Sequence, residues 1–377
     1  MSCNSDDDTI IPSQITNPTA SFTFNTTVAS AGEAVTFTDT STQGSSAISE
    51  WNWTFTGATP STSTEQNPTV TFNSKGEFSA SLVIMANDGG IDDTSQEILA
   101  IEACEVYECE KFLVESIYDV VYGVDESSHK MNFYIPRGDS RTIKPALLIN
   151  GGGQYEGSDL SLLESLAERL ASYGFVVATA RYRNGIGDGT ANLMRGMVDS
   201  RAAVRFLRAN ASDYNIDPNQ IFAGGWASGA YNALVHAYWQ IEDVPPVLLD
   251  LVVPGLISSW EGDQGNPGIS SSVVGVVGLG GAMYGQDESF QNDLWITSSD
   301  VPMFAVHGTA DEQTPYGALE LSSGNWEFGS SIIHQRLLDV GVSSMLHTIE
   351  DGVHDSPRMP ENIDNYIESL VGFLSGQ

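Results

Sequence analysis

GGWASGA, residues 224–230, is the stretch that decides the fold of this 377-residue chain. It follows a short predicted strand, QIFA at residues 220–223, and precedes a helix-forming run, residues 231–240. A strand that ends in glycines and leads directly into a helix must reverse its direction within very few residues. The stretch therefore predicts a sharp strand–turn–helix junction that presents its central side chain at one end of a sheet.

Two glycines frame the centre of this turn. Gly225 and Gly229 stand two residues before and two residues after Ala227. The frame G-x-S-x-G requires small residues at these places and normally presents a nucleophilic serine between them. Here the frame is intact, but its centre is Ala227, which has no hydroxyl. Ser228 is one residue late, because choosing it as nucleophile would put Trp226 where a glycine is required.

Two explanations account for Ala227. Either a working serine was replaced to make an inactive variant, or the chain is a natural pseudoenzyme. The sequence favours replacement, because the other parts expected of such a site are present.

Two later loops supply an acid and a base. Asp311 ends the segment HGTAD after a buried strand, and His354 lies in the turn DGVHD after another strand. In this chemistry a histidine takes the proton of the nucleophile, and a carboxylate fixes the tautomer of the histidine. The alternatives are that Asp311 caps a turn and that His354 is an ordinary surface histidine. Glu312 and Asp355 are weaker candidates, because each is only a neighbour of a predicted position.

A glycine-rich turn after another buried strand predicts an oxyanion hole. NGGG occupies residues 150–153. The amides of Gly152 or Gly153, together with that of Ser228, can hold a developing oxyanion, an effect of about 3–4 kcal/mol per donor. A P-loop is excluded, because no Gly-Lys-Ser/Thr follows the glycines.

The chain divides by its hydrophobic patterns. Residues 1–18 predict a flexible tether, and residues 19–103 predict an all-β sandwich, because short alternating strands are separated by turns. Residues 104–377 begin with a β-hairpin and continue with alternating strands and helices, which predicts a doubly wound, mostly parallel α/β sheet. In this region SLLE, residues 161–164, has the spacing of a capping box that opens a helix.

Both parts resemble known families. Residues 19–103 resemble a PKD domain, an immunoglobulin-like module, in the strand WNWTF, residues 51–55, in Asn67-Pro68 before a strand ending in Phe72, and in Gly76-Glu-Phe78. The tryptophans of WNWTF lie on one face of their strand, which predicts core packing.

From about residue 112 to the end, the chain resembles the acetyl esterase/carboxylesterase branch of the α/β-hydrolases, which includes acetyl xylan and feruloyl esterases. RYR at 181–183, DSRAAVRFL at 199–207, IDP at 216–218 and HGTAD at 307–311 carry this resemblance. The chain departs from the family pattern at Ala227 and at Asn150, which replaces the histidine of an HGGG loop.

The resemblance implies a serine carboxylic-ester hydrolase with Ala227 at the nucleophile position, which makes the chain inactive as written. We expect it to act on acylated polysaccharide, carrying acetyl or feruloyl esters, with Trp226, Tyr155 and Trp260 in contact with substrate and with no cofactor or metal. The alternatives are a lipase or polyester hydrolase, and a catalytically dead surface binding protein.

Charge and cysteines limit the partners and the location. The chain has 49 acidic and 15 basic residues, a net charge of −34, which disfavours nucleic acid as a partner. Its start, MSCNSDDD, resembles the trimmed end of a bacterial lipoprotein, with Cys3 as the lipid acceptor and the only membrane attachment. An accidental cysteine is the alternative. Cys104 and Cys109 form either a local disulfide or two free thiols in an exported, cell-surface protein.

Overall fold

Two units make up the chain, Met1–Cys104 and Glu105–Gln377. The computed structural model describes residues 16–153, 160–183, 189–240, 261–262, 264–285 and 296–376. Cys3, Tyr155 and Trp260 lie outside the described residues. Cys104 and Cys109 form a disulfide. Among the described helices, none is long and apolar enough to cross a membrane.

The first unit is a sandwich of two β-sheets, as its sequence pattern predicts. One sheet has the strand order β1-β3-β7-β5 and the other has the order β2-β9-β8-β4-β6. The strands are β1 Phe22–Phe24, β2 Val28–Ser30, β3 Ala34–Asp39, β4 Ile48–Phe55, β5 Ala58–Thr59, β6 Thr62–Ser63, β7 Thr69–Phe72, β8 Gly76–Ala86 and β9 Ile91–Ile101.

Aromatic side chains fill the space between these sheets. The side chain of Trp53 is buried and lies against Phe22, Phe37 and Phe55. Trp51, two residues earlier on the same face, is half-buried and donates from Nε1 to Asp39 Oδ2 at 2.7 Å. Both tryptophans therefore pack within their own module.

The second unit is built on one sheet of eight strands, in the order β10-β11-β13-β12-β14-β15-β17-β20. The neighbours within β13-β12-β14-β15-β17-β20 pair in parallel. The hairpin β10–β11 adds two antiparallel strands at one edge. The strands of this unit, of which β16, β18 and β19 lie outside the eight-stranded sheet, are β10 Leu113–Val121, β11 Lys130–Arg137, β12 Lys144–Asn150, β13 Val176–Ala180, β14 Ile216–Trp226, β15 Val276–Leu279, β16 Ala282–Gly285, β17 Met303–Gly308, β18 Ala318–Glu320, β19 Trp326–Gly329 and β20 Ser344–Ile349. The predicted α/β sheet is confirmed.

Helices cover both faces of this sheet. They are α1 Glu164–Tyr173, α2 Gly189–Ala209, α3 Ser228–Tyr238, α4 Ser330–Asp339 and α5 Pro360–Ser375. Along β17, Phe304 and Val306 belong to the apolar core formed with α1 and α5, whereas Ala305 belongs to the core formed with α2, α3 and α4. Successive residues of a strand point to opposite faces, so this alternation places the two helix layers on opposite sides.

Two features differ from the sequence-based expectation. A three-stranded antiparallel sheet, β16-β19-β18, accompanies the main sheet and was not predicted. The capping-box prediction is wrong, because Ser161–Leu163 form a 3₁₀ turn and Leu163 occupies the cap position of α1, without a side-chain cap hydrogen bond.

Candidate active site

The junction between β14 and α3 is a single strained residue. Trp226 ends the strand, Ser228 begins the helix, and Ala227 lies between them with φ 52° and ψ −123°. L-residues seldom adopt a positive φ, because the Cβ then crowds the backbone. The amide of Ala227 donates to Leu279 O on the neighbouring strand at 2.9 Å. The predicted strand–turn–helix junction at Trp226–Ser228, called the elbow below, is therefore present although its central residue has no hydroxyl.

The two framing glycines are required by close backbone contacts. A Cβ on Gly225 would lie 2.2 Å from the carbonyl carbon of Gly229. A Cβ on Gly229 would lie 2.2 Å from Asn150 O. The helix thus begins directly against both its own strand and the glycine-rich loop, so any side chain at either position would separate them.

The hydroxyl of Ser228 is not placed to act as the nucleophile. Its hydroxyl lies 2.9 Å from the buried Tyr182 hydroxyl, and the residue is 6% exposed. Its amide occupies the first position of α3, where a helix offers no intrahelical acceptor. This geometry suits Ser228 as an amide donor beside Ala227.

The glycine-rich loop is anchored by Asn150. The buried Asn150 side chain donates to Gly224 O at 2.9 Å and to Ser200 Oγ at 3.0 Å. The next residues run past the elbow, since a Cβ on Gly152 would lie 2.3 Å from Cε3 of Trp226. Gly153 has φ 123°, a conformation that favours glycine.

The structure brings Asp311 and His354 together. Nδ1 of His354 lies 2.8 Å from Asp311 Oδ2, and both residues follow the ends of adjacent parallel strands, β17 and β20. Gly280, which directly follows the Leu279 that binds Ala227, lies beside this pair. A Cβ on Gly280 would be 3.5 Å from Asp311 Oδ2 and 3.9 Å from His354 Nδ1.

The environment keeps Asp311 ionised. Burial alone would raise its pKa, but hydrogen bonds from His307, His354 and the amide of Thr314 together hold the pKa of Asp311 well below its ordinary value. A carboxylate at this place fixes the proton of His354 on Nδ1 and leaves Nε2 as the nitrogen that can accept a proton.

A cavity of about 360 Å³ opens beside this pair. His354 lines it together with Ala310, Glu312, Gln313, Val353 and Asp355. Asp355, a weaker candidate for the acid, pairs with Arg358 at 2.9 Å. The carboxylate on the His354 ring among the described residues is that of Asp311.

His307 is a further residue of the site, and the sequence pattern alone does not assign it a role. Its Nε2 lies 3.3 Å from Asp311 Oδ2, and its Nδ1 lies 2.9 Å from the Ser330 hydroxyl. The segment HGTAD contained the signal, because its histidine and aspartate are four residues apart around a tight turn.

Trp226 is buried between the loops of the site. Its exposed fraction is 7%, and its Nε1 donates to His354 O at 3.3 Å. Tyr155 and Trp260, the other residues expected to contact substrate, lie outside the described residues.

Two protein families match the chain, one in each of its two units. Residues 15–100 match the PKD domain family, and residues 131–250 match the BD-FAE family. The chain carries a PKD domain followed by a BD-FAE α/β-hydrolase domain. Both resemblances expected from the sequence are confirmed.

Individual relatives match parts of the chain. The chain is 37% identical over 94 residues to gut esterase 1 of Caenorhabditis elegans, covering 23% of this chain and 17% of that protein. It is 26% identical over 172 residues to chlorogenic acid esterase of Aspergillus niger, covering 42% of this chain and 33% of that protein. The chain thus spans a third or less of the length of these two relatives.

A solved structure shares the fold over a longer range. A truncated carbohydrate esterase from gut microbiota superimposes with a TM-score of 0.50 at 18% identity, covering 70% of this chain and 97% of that one. At this identity the likeness concerns the fold alone.

Proposed function

We propose that the second unit, Glu105–Gln377, is the catalytic domain of a serine carboxylic-ester hydrolase, with Ala227 at the position of the nucleophile. The observation that carries the proposal is the strained elbow at Ala227 beside the hydrogen-bonded pair Asp311–His354. Strain at a non-glycine residue persists where the surroundings impose it, commonly at functional sites.

Each residue then has a role in acyl transfer. With serine at 227, Nε2 of His354 would accept the serine proton as the oxygen attacks the ester carbonyl, and would later return a proton to the departing alcohol. Asp311 would stabilise the imidazolium that forms. The amides of Ser228 and of Gly152 or Gly153 would hold the oxyanion.

With alanine at 227, the protein should bind esters without turning them over. Removal of the nucleophile in a serine hydrolase costs on the order of 10⁶ in kcat. A second function, a cell-surface binding protein that retains the cleft, is favoured by this same residue.

For the substrate we propose acylated polysaccharide. The support is the similarity to a chlorogenic acid esterase, together with the PKD domain and the proposed lipid attachment at Cys3. A lipase or polyester hydrolase is the alternative, and it would require an apolar cleft.

Restoration of the hydroxyl tests the proposal. Ala227→Ser should hydrolyse p-nitrophenyl acetate and should release acetate or ferulate from acylated xylan, whereas the parent protein should not. Ala227→Ser/Ser228→Ala is the matched control and should remain active, because an alanine retains the amide at 228. A folded Ala227→Ser protein that is inert on a broad ester panel would support the binding protein instead. Cleavage of long-chain lipid esters in preference to acylated sugars would support the lipase.

A further inference from the structure

The residue before Ala227 contacts two other loops of the site. Trp226 is the last residue of β14, and its main chain pairs with Leu279 on β15. The apolar body of its side chain is part of the core formed with α1 and α5. The position of the ring is therefore fixed by the sheet that also fixes Ala227.

The first contact is with the glycine-rich loop. A Cβ on Gly152 would lie 2.3 Å from Cε3 and 2.6 Å from Cζ3 of the Trp226 ring. Real Cβ atoms do not approach other atoms so closely, so the loop reaches this place only because residue 152 has no side chain. The ring sets how closely the loop can approach the elbow.

The second contact is with the loop that carries His354. Trp226 Nε1 donates to the main-chain carbonyl of His354 at 3.3 Å, and the centroids of the two rings are 5.3 Å apart. The guanidinium of Arg358, later in the same loop, lies 4.5 Å from the centroid of the Trp226 ring, at cation–π distance. Asp355 anchors Arg358 at 2.9 Å.

These contacts leave little of the ring for a ligand, because Trp226 is only 7% exposed. We infer that Trp226 is a positioning residue. It sets the distance of the glycine-rich loop at Gly152, and the distance of the base His354, from residue 227. This replaces the substrate contact expected from the sequence. The inference rests on the proposed function, since it assigns a role within the same site.

The first test needs no activity and uses the protein as it stands. The Nδ1–H proton of His354, which is hydrogen-bonded to Asp311 at 2.8 Å, is identified by NMR as the signal lost in His354→Gln, and its exchange with water is measured. Trp226→Phe removes the indole N–H and keeps an aromatic ring, so this proton should exchange faster, because the His354 loop loses the contact that holds it. Trp239→Phe, at a buried tryptophan elsewhere in the unit, should leave the exchange rate unchanged. An exchange rate unchanged in Trp226→Phe would overturn the inference.

The second test uses the Ala227→Ser background. Trp226→Phe should lower kcat about tenfold, because small misplacements of catalytic groups are costly. KM for p-nitrophenyl acetate and butyrate should stay within about twofold, since no ground-state contact is removed. Gly152→Ala should also lower kcat, and the double variant should lose less than the product of the two losses, because both act on one contact. A rise in KM that depends on acyl length, with kcat unchanged, would identify Trp226 as a substrate contact.

The two tests separate the inference from the function on which it rests. If Ala227→Ser is inert and the NMR exchange measurement gives the expected result, the esterase proposal fails and the positioning role stands. If Ala227→Ser is active and Trp226→Phe changes neither kcat nor the exchange rate, the positioning role fails alone.

Discussion

Asp311 Oδ2 lies 2.8 Å from His354 Nδ1, although 43 residues separate the two along the chain. The second oxygen, Oδ1, accepts the amides of Gln313 and Thr314 at 2.9 Å each. Main-chain donors therefore fix the carboxylate plane, and the remaining oxygen is directed to the imidazole. A carboxylate that only capped its own turn would not need the His354 contact.

This geometry predicts unequal effects of substitution in the Ala227→Ser background. His354→Ala should remove nearly all esterase activity, because the described site offers no other group placed to accept the serine proton. Asp311→Asn should lower kcat severely, by about 10⁴ in the precedent of a serine protease, because the amide favours the wrong imidazole tautomer. Steady-state kinetics with p-nitrophenyl acetate would measure both. Glu312→Gln and Asp355→Asn are the matched controls and should cost far less. An equal loss in Asp355→Asn would contradict the assignment of the acid.

The close contacts at the elbow predict a difference between two paired glycines. Gly225 and Gly278 are partners on adjacent strands. A Cβ at 225 would meet the Gly229 backbone at 2.2 Å, whereas a Cβ at 278 would come no closer than 4.0 Å to its nearest neighbour, the side chain of Leu234. Gly225→Ala should destabilise the second unit by about 3 kcal/mol or more in chemical denaturation. Gly278→Ala should remain within about 1 kcal/mol of the parent. Similar losses in both variants would contradict the steric explanation.

Local steric requirements explain why so much of the site could be predicted from the sequence. The turn between β14 and α3 admits only small residues at Gly225 and Gly229, so its position is evident from the sequence. The loops that carry Asp311 and His354 follow buried parallel strands, whose ends meet at one edge of the sheet.

Features that depend on tertiary packing could not be predicted in this way. The strand β9, Ile91–Ile101, contains many exposed polar residues and is fixed by its pairing with β8. The strands β16, β18 and β19 are three or four residues long, and β16 lies far along the chain from its partner β19. Trp226 is buried by contacts with Gly152 and His354, which are distant along the chain, so its local sequence does not reveal this burial. Its position next to Ala227 in the sequence indicates a substrate contact instead.

A buried histidine outside the site predicts acid sensitivity. Nε2 of His236 lies 2.9 Å from Ser271 O and Nδ1 lies 3.2 Å from Ser200 Oγ. Burial first, and the nearby Arg201 second, lower the pKa of His236 to about 3. Between its ordinary pKa of 6.5 and about 3, the unfolded chain binds a proton at this ring that the folded protein does not. The free energy of unfolding should therefore fall as pH decreases through this range and should be independent of this group above it.

The contribution of this ring can be measured by substitution. Denaturation between pH 6 and pH 4 should show a slope that is smaller in His236→Gln by about 1.4 kcal/mol per pH unit, the effect of one proton. At pH 7.5 the same variant should be less stable than the parent, because the contacts to Ser200 and Ser271 are lost. His334→Gln, at a half-buried ring, should change the slope less. An unchanged slope in His236→Gln would show that the ring is protonated in the folded protein.

The backbone at position 227 predicts that its alanine is a costly residue for stability. Ala227 has φ 52° and ψ −123°, a conformation that costs a non-glycine residue about 1–3 kcal/mol. Ala227→Gly would remove this strain but would add conformational freedom to the unfolded chain, worth about 0.4–1 kcal/mol. We therefore expect Ala227→Gly to stabilise the second unit by about 1 kcal/mol in chemical denaturation, and Ala227→Ser, which keeps the Cβ, to leave stability nearly unchanged. Ala230→Gly, in the first turn of α3, is the control and should destabilise by about 1 kcal/mol, because its backbone is helical. A loss of stability in Ala227→Gly would mean that the elbow is not strained, and the conformation at 227 would no longer support a nucleophile position.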